Sequence, residues 1–167
     1  AFETIALVDD GDTTADTLTI TVADANIADG ASMTVDGSAL TTDDIAVSAA
    51  TEADGAVTIK GGGGDDTITA SVSDMGDTLE GGAGDDTFNI TTAGFTSADT
   101  ISGGAGTDTI TLSDASTIVD ADFTNVTGVE AISHGNLAMT ITLGALAQAA
   151  GLTTITNGTG TNVTTVG

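Results

Sequence analysis

The amino-acid sequence predicts an all-β solenoid, and three observations support this fold class. Apolar residues alternate with Thr, Ser and Asp at a period of two, as in residues 18–22 and 139–143, and this alternation is typical of half-buried strands. Gly, Asp and Asn interrupt these runs at short intervals, as turns do. One glycine- and aspartate-rich segment recurs three times at nearly constant spacing, which indicates stacked structural repeats.

The composition excludes several classes of partner. The 167 residues include one Lys or Arg against 25 Asp and Glu, so the formal net charge is −24. Nucleic-acid binding and attachment to an anionic membrane both need clustered cationic side chains, so neither is expected. No apolar run approaches the roughly 18 residues of a membrane span, so membrane insertion is not expected. Hydrophobic residues form 40% of the chain, and their regular alternation argues against disorder.

An enzyme is not expected. The chain has no Cys and a single His, His134, for which a surface or strand-end position is predicted. No phosphate-binding loop leads into a long helix, and no nucleophile motif surrounds the histidine. Paired carboxylates are abundant, but cation binding explains them without catalysis.

The repeats begin at Gly61, Gly81 and Gly103, and their starts are 20 and 22 residues apart. They read GGGGDDTIT, GGAGDDTFN and GGAGTDTIT. Shorter copies, DTLE from Asp77 and DTIS from Asp99, directly precede the second and third repeats. Glycine permits positive φ angles and lets carbonyl groups turn toward a common point.

These segments resemble the calcium-binding nonapeptide of RTX (hemolysin-type) proteins, Gly-Gly-x-Gly-x-Asp-x-apolar-x. The resemblance covers about residues 52–113 and implies a parallel β-roll. Because the spacing is 20 to 22 residues, the glycine turns fall on one side of each coil, and we expect a flattened roll with calcium-binding turns on one edge. Residues 23–61 are similar to segments that often precede such repeats, and residues 122–130 are similar to segments that follow them in bacterial surface-layer proteins.

The repeats therefore predict Ca²⁺ as the bound ion. Calcium takes six to eight oxygen ligands at roughly 2.3–2.6 Å, which turn carbonyls and aspartates can supply. Stacked aspartates about 4.8 Å apart repel by roughly 0.9 kcal/mol in water and by about 3.5 kcal/mol at an effective dielectric of 20. Three turns enclose at least two ions that convert this repulsion into attraction. The predicted ligands are Gly61, Gly63, Asp65, Asp66, Asp77, Gly81, Ala83, Asp85, Asp86, Asp99, Gly103, Ala105 and Asp108.

A second acidic cluster lies near the N-terminus, in a segment that precedes the strand pattern at Leu18. It fits either another calcium loop or an ordinary polar turn, and the residue types alone do not separate these interpretations. The residues concerned are Asp9, Asp10, Asp12 and Asp16.

The apolar positions of the repeats predict two facing columns of core side chains. One column comprises Ile68, Phe88 and Ile110, the other comprises Ile59, Leu79 and Ile101, and Ala70, Val72, Ile90 and Leu112 extend the core. The flanks predict a β-rich segment over residues 1–60 and another over 114–167 on either side of the calcium-binding roll at 61–113, all in one continuous domain.

One short helix is predicted near residues 143–150. Thr142 can cap it, Leu143, Leu146 and Ala150 share one face, and Gly151 ends it. After the helix, the dipeptide at residues 157–158 (Asn-Gly) separates two Thr-rich strands, which is typical of a hairpin turn or a coil corner.

Two functions remain open from the sequence. The first is a calcium-dependent extracellular structural protein that assembles with copies of itself into a surface layer, tube or filament, with exchange of an N-terminal strand at residues 1–8 as the route. The alternative is a calcium-stabilised adhesin or binding module of a larger secreted protein, with a cell-surface glycan as its ligand. The family resemblance implies type I export to the bacterial cell surface.

Calcium binding and folding should be coupled. Each coil buries only a few aliphatic side chains, worth roughly 1.5–3 kcal/mol each, whereas ordering the backbone costs about 1–2 kcal/mol per residue. Excess chelator should therefore abolish the strand signal in circular dichroism, and added calcium should restore it. An unchanged spectrum and melting curve in chelator would contradict this coupling.

Overall fold

The chain winds as a solenoid of short parallel strands. The computed structural model describes residues 3–11, 14–73, 75–115, 117–136, 138–158 and 162–166, with the last of these segments described as backbone only. In chain order its elements are β1 (Thr4–Ala6), β2 (Thr17–Thr21), β3 (Ser32–Asp36), β4 (Asp44–Ser48), β5 (Ala56–Gly63), β6 (Thr67–Thr69), β7 (Thr78–Ala83), β8 (Thr87–Ile90), β9 (Thr100–Ala105), β10 (Thr109–Leu112), β11 (Thr117–Ile118), β12 (Val126–Thr127), β13 (Ala131–His134), β14 (Met139–Leu143), α1 (Ala145–Ala150), β15 (Thr154–Asn157) and β16 (Asn162–Val166), with short 3-10 helices at Asp24–Asn26 and Asp120–Phe123.

The strands form three sheets, and every described strand pair is parallel. Sheet A has the order β1-β3-β5-β7-β9-β12, sheet B has the order β15-β13-β10-β8-β6-β4-β2, and sheet C has the order β11-β14-β16. From β1 to β10 the chain alternates between sheets A and B, so each coil consists of two strands. The predicted parallel β-roll with one short helix is confirmed.

The core lies between sheets A and B, where apolar side chains stack in register. Ile68 pairs with Phe88, which pairs with Ile110 on sheet B, and the facing column on sheet A aligns Leu79 with Ile101. These side chains are at most 1% exposed. Both predicted core columns are confirmed, because period-two alternation in paired parallel strands places equivalent residues on the same face.

One predicted extension of this core is wrong. Ala70, Ile90 and Leu112 are buried, but Val72 is 39% exposed. Strand β6 ends before it, and the chain turns so that the Val72 N–H donates to the carbonyl of Glu52 at 2.9 Å. The alternation therefore stops being a guide to burial where the strand stops.

The cross-section changes near the C-terminal end. After β10 the chain contributes strands to sheet C as well as to sheets A and B. Helix α1 contacts β12, the last strand of sheet A, and the N–H of Val129 donates to the carbonyl of Ala150 at 3.0 Å. The helix thus takes the position beside sheet A that another strand would occupy in the next coil.

The helix is shorter than predicted, and its cap comes from elsewhere. Thr142 belongs to β14 rather than capping the helix, and Leu146 is exposed while Ala147 is buried. The carboxylate of Asp120 accepts hydrogen bonds from the N–H groups of Gly144 at 2.8 Å and Ala147 at 2.9 Å. These bonds satisfy donors that a helix N-terminus otherwise leaves unpaired. Gly151 ends the helix at a φ of 108°, as predicted.

The structure decides two expectations for the C-terminal part of the chain, one on the dipeptide at 157–158 and one on His134. The dipeptide at 157–158 is a coil corner rather than a hairpin turn, because β15 belongs to sheet B and the next described strand, β16, belongs to sheet C. His134 ends β13, as one of the two predicted positions required, but the surface alternative is wrong because His134 is 2% exposed. Its Nε2 lies 2.8 Å from Oδ1 of Asn157 in the paired strand β15.

Candidate calcium-binding edge

The three glycine turns lie on the same side of three successive coils, and we call residues 61–66, 81–86 and 103–108 the glycine edge. Each turn leads from a strand of sheet A into a strand of sheet B. Gly62 pairs with Gly82, and Gly82 pairs with Gly104. The turns are therefore stacked in register along the axis of the roll.

The glycines of these turns are required by geometry. Gly62, Gly82 and Gly104 have φ angles of 141°, 122° and 117°, and no described residue other than glycine has a positive φ. At Gly81, one position earlier, φ is not positive, but an added Cβ would collide with Oδ2 of Asp86 and with the carbonyl oxygen of Gly103. The first glycine therefore keeps space open, and the second allows the turn.

Inner aspartates link the coils of the glycine edge. The N–H of Asp66 donates to Oδ1 of Asp86 at 2.8 Å, and the N–H of Asp86 donates to Oδ1 of Asp108 at 2.8 Å. The column continues at both ends: Asp66 Oδ1 accepts the N–H of Ile45 at 2.7 Å, and Glu130 Oε2 accepts the N–H of Asp108 at 2.8 Å. Each carboxylate thus binds the backbone of the preceding coil through one oxygen.

The second oxygen of each inner aspartate is the strongest indication of a cation. Asp66, Asp86 and Asp108 are at most 1% exposed, and the Oδ2 atom of each is buried without a hydrogen-bond partner among the described residues. A buried anionic oxygen without a partner is costly. In each turn, a Cβ atom on the first glycine would collide with this Oδ2 atom and also with a carbonyl oxygen of the next coil, so the two oxygens lie around the same space. Converging carboxylate and carbonyl oxygens are the ligands that calcium prefers, so these residues fit Ca²⁺.

An outer column of carboxylates runs beside the inner one. The N–H of Asp65 donates to Oδ1 of Asp44 at 2.8 Å, the N–H of Asp85 donates to Oδ1 of Asp65 at 2.8 Å, and the N–H of Thr107 donates to Oδ1 of Asp85 at 2.7 Å. Asp65 and Asp85 are exposed. They add negative potential to the glycine edge without being desolvated, so their effect is weaker than that of the inner column.

Burial and mutual repulsion raise the pKa values of the inner column. Burial, followed by the charges of Asp86, Asp44 and Asp65, raises the pKa of Asp66 to about 7. Burial, followed by the charges of Asp108, Asp65 and Asp85, raises the pKa of Asp86 to about 6. Burial, followed by the charges of Glu130 and Asp85, raises the pKa of Asp108 above its usual value. Without a cation, the fold therefore opposes the charged form of these side chains.

Asp77 and Asp99 lie on the opposite edge of the roll. The N–H of Asp77 donates to Oδ1 of Asp99 at 2.8 Å, and the Asp77 carboxylate accepts the N–H groups of Val57 at 3.0 Å and Ser71 at 2.8 Å. The structure therefore separates both residues from the glycine edge. Backbone N–H donors already occupy both oxygens of the Asp77 carboxylate. This side chain therefore connects coils through hydrogen bonds.

The N-terminal acidic residues do not form a cluster of three carboxylates within the described part of the chain. Asp9 accepts hydrogen bonds from the N–H groups of Gly11 at 2.6 Å and Thr41 at 3.1 Å, and the N–H of Asp16 donates to Oδ1 of Asp43 at 3.2 Å. Asp10 lines a surface groove, and Asp12 lies outside the described residues. The polar-turn interpretation accounts for the Asp9 geometry, and a calcium loop here stays a prediction.

Glu130 and Asp44 extend the two columns but were not among the predicted ligands. Glu130 follows Asp108 by 22 residues, the same spacing that separates the second and third repeats, so the repeat period could have located it. Asp44 is the first residue of β4, and the chain before it lacks the repeat motif. Its position in the outer column follows only from the stacking of the start of β4 on the first glycine turn.

The inner and outer columns make different predictions for substitution. Asp86→Asn keeps an acceptor for the Asp66 N–H but removes the buried charge, so we expect the loss of an enclosed ion and at least about tenfold weaker calcium affinity, or about 1.4 kcal/mol. Asp85→Asn, the adjacent matched control, should weaken affinity only a few-fold. Calorimetric titration measures both stoichiometry and affinity. Equal effects of the two substitutions would contradict the assignment of the inner column.

The raised pKa values predict opposite effects of pH on the calcium-free and calcium-bound protein. The folded calcium-free chain holds protons more tightly than the unfolded chain, in which aspartates titrate near 3.8. Its stability should therefore rise as pH falls through about 7 to 6, the range set by Asp66 and Asp86. Calcium affinity should weaken over the same range, because protons compete with the ion.

The strand signal of chelated and dialysed protein in circular dichroism, which should return as the pH falls, and calcium titration, both between about pH 8 and 5, measure these trends. Asp86→Asn should reduce both pH dependences, whereas Asp85→Asn should leave them nearly unchanged. A calcium-free protein that loses stability on mild acidification would contradict the prediction.

Comparison with known protein families agrees with this geometry. A family model described as the RTX calcium-binding nonapeptide repeat (4 copies) matches residues 53–74, 71–89 and 94–115. No curated protein and no solved structure matches the chain significantly. Among the described residues, no helix has the length and apolar character that a bilayer span requires. RTX repeats bind Ca²⁺, and several repeats imply several ions. Residues 53–89 and 94–115 therefore carry RTX calcium-binding nonapeptide repeats, which are part of a parallel β-roll.

Proposed function

We propose that this chain is a calcium-dependent extracellular structural protein that assembles end to end with copies of itself into a layer, tube or filament. RTX repeats are typical of secreted proteins, and their β-rolls are typically structural or binding elements rather than catalytic ones. Calcium stiffens the roll by neutralising the inner aspartates. The assembly itself depends on the two ends of the solenoid.

The observation that carries the proposal is the parallel strand order. Sheet B has β2 as its outermost described strand at one end and β15 at the other. All described pairs in this sheet run in one direction, so β15 of one copy placed beside β2 of the next would continue the ladder. Such a head-to-tail contact does not close on itself and builds a filament. Sheet A offers no such route, because α1 lies beside β12.

The N-terminal end of the roll also presents apolar surface. Val8 is 82% exposed and Leu18 is 44% exposed, and both line a groove together with Leu7 and Leu40. Asp10, Asp16 and Asp43 line the same groove. Apolar surface with a polar rim is characteristic of contact sites between proteins. Because each copy carries a net charge of −24, cations should be needed to bring two copies together.

Strand exchange at residues 1–8 is a second route to the same assembly. Strand β1 pairs with β3 of its own chain through only three residue pairs, from Thr4–Thr34 to Ala6–Asp36. A short edge strand of this kind can be replaced by the equivalent strand of another copy at little cost. The route through sheet B does not require this exchange, so the two are separable by experiment.

Electron microscopy and light scattering should show elongated particles in calcium and none in chelator. The N–H of Val22 donates to Ser48, so by strand alternation the N–H of Thr19 in β2 points away from β4. Thr19→Pro should therefore block addition of a strand without breaking an internal hydrogen bond. Thr19→Ala is the matched control and should still assemble.

Deletion of residues 1–8 tests strand exchange. Loss of polymers with calcium binding retained is expected if β1 is exchanged, whereas persistent polymers would contradict exchange and leave the β2–β15 contact. A wild-type protein that stays monomeric in saturating calcium would contradict self-assembly altogether. That result would favour the calcium-stabilised adhesin or binding module.

A further inference from the structure

Three carboxylates meet on the edge opposite the glycine edge, in the two coils nearest the N-terminus. Asp24 begins the 3-10 helix after β2, and Glu52 and Asp54 lie in the corner between β4 and β5. One carboxylate oxygen from each residue lies within 4.8 Å of the other two. The group joins neighbouring corners of successive coils, and the RTX match begins at residue 53 without including Asp24 or Glu52.

Glu52 is buried and has an unpartnered oxygen. Its side chain is 0% exposed, and Oε1 accepts the N–H groups of Gly55 at 2.7 Å and Asp54 at 3.1 Å. The Oε2 atom is buried without a hydrogen-bond partner among the described residues. The backbone holds this residue in place, because its N–H donates to Ala49 at 2.9 Å and its carbonyl accepts from Val72 at 2.9 Å. A buried carboxylate in this position calls for a positive partner.

No basic side chain supplies that partner. The chain has one Lys or Arg, and its Nζ atom, on Lys60, lies 3.1 Å from Oε2 of Glu80. The single histidine, His134, is bound to Asn157 in β15. The negative charges of Asp24, Asp29 and Glu52 all act on Asp54. The three carboxylates therefore carry repulsion that no basic side chain of this protein offsets.

We propose that Asp24, Glu52 and Asp54 bind a calcium ion outside the glycine repeats. Three carboxylates are a hard, oxygen-only ligand set, which suits Ca²⁺. Asp24 and Asp54 are exposed, so the ion has access from solvent and water completes its coordination. The site differs from the glycine edge because side chains rather than turn carbonyls supply its ligands. It ties the β2–β3 corner to the β4–β5 corner and so secures the N-terminal coils.

The number of bound ions tests the proposal. Native mass spectrometry in calcium should show one ion fewer for the double variant Asp24→Asn/Asp54→Asn than for the wild type. Asp29→Asn is the matched control, since Asp29 is also exposed and acts on Asp54 by charge but is not in the cluster; it should retain the full count. Asp86→Asn should remove an ion independently, so combining it with the double variant should give additive losses.

Thermal melting provides a second measurement. Without calcium, the double variant should show at least as much strand signal in circular dichroism as the wild type, because the substitutions remove repulsion. In calcium, its melting temperature should rise less than that of the wild type. Both substituted side chains are exposed, so the double variant should fold. The test therefore does not require replacement of the buried residue Glu52.

An equal ion count in the wild type and the double variant would overturn the proposal. The same result is expected if Glu52 and Asp54 instead share a proton. In that case, calcium would also leave the carboxyl ¹³C resonance of Asp54 unchanged.

Discussion

Repulsion between stacked carboxylates is the constraint on which the rest of this structure depends. A parallel roll places equivalent residues of successive coils directly above one another, so Asp66, Asp86 and Asp108 form one buried column. One oxygen of each binds a backbone N–H of the preceding coil, and the other has no hydrogen-bond partner among the described residues. The glycines leave space beside those second oxygens. A divalent cation there converts the main source of instability into the contact between coils.

The opposite edge shows that stacked aspartates do not by themselves require a metal. Asp77 is also buried, and its own N–H donates to Oδ1 of Asp99 in the neighbouring coil. Its carboxylate, however, accepts the N–H groups of Val57 and Ser71 as well as the Ser71 hydroxyl. The difference between the edges lies in the number of donors around each carboxylate. Glu52 resembles the inner aspartates in this respect, since one of its oxygens is buried without a partner.

Most of the fold and much of the glycine edge were accessible from local patterns. Alternation predicted the strands and both core columns, and the repeat spacing predicted that the turns stack on one edge. The same spacing locates Glu130, although its residue type departs from the motif. Patterns failed where the contact came from another coil. Asp120 caps α1 from 24 residues away, and Val72 is exposed because its strand has already ended.

The sequence by itself determined the repeating strand and turn, the positions that need glycine, and the ion these turns bind, because each depends on residues within one repeat. Only the tertiary structure decided which acidic residues share an edge and which oxygens remain unpaired. Asp24 and Glu52 are distant in sequence but adjacent in space, and Asp77 and Asp86 are close in sequence but lie on opposite edges. Coil stacking creates these neighbours, and the number of nearby N–H donors then separates a structural carboxylate from a metal ligand.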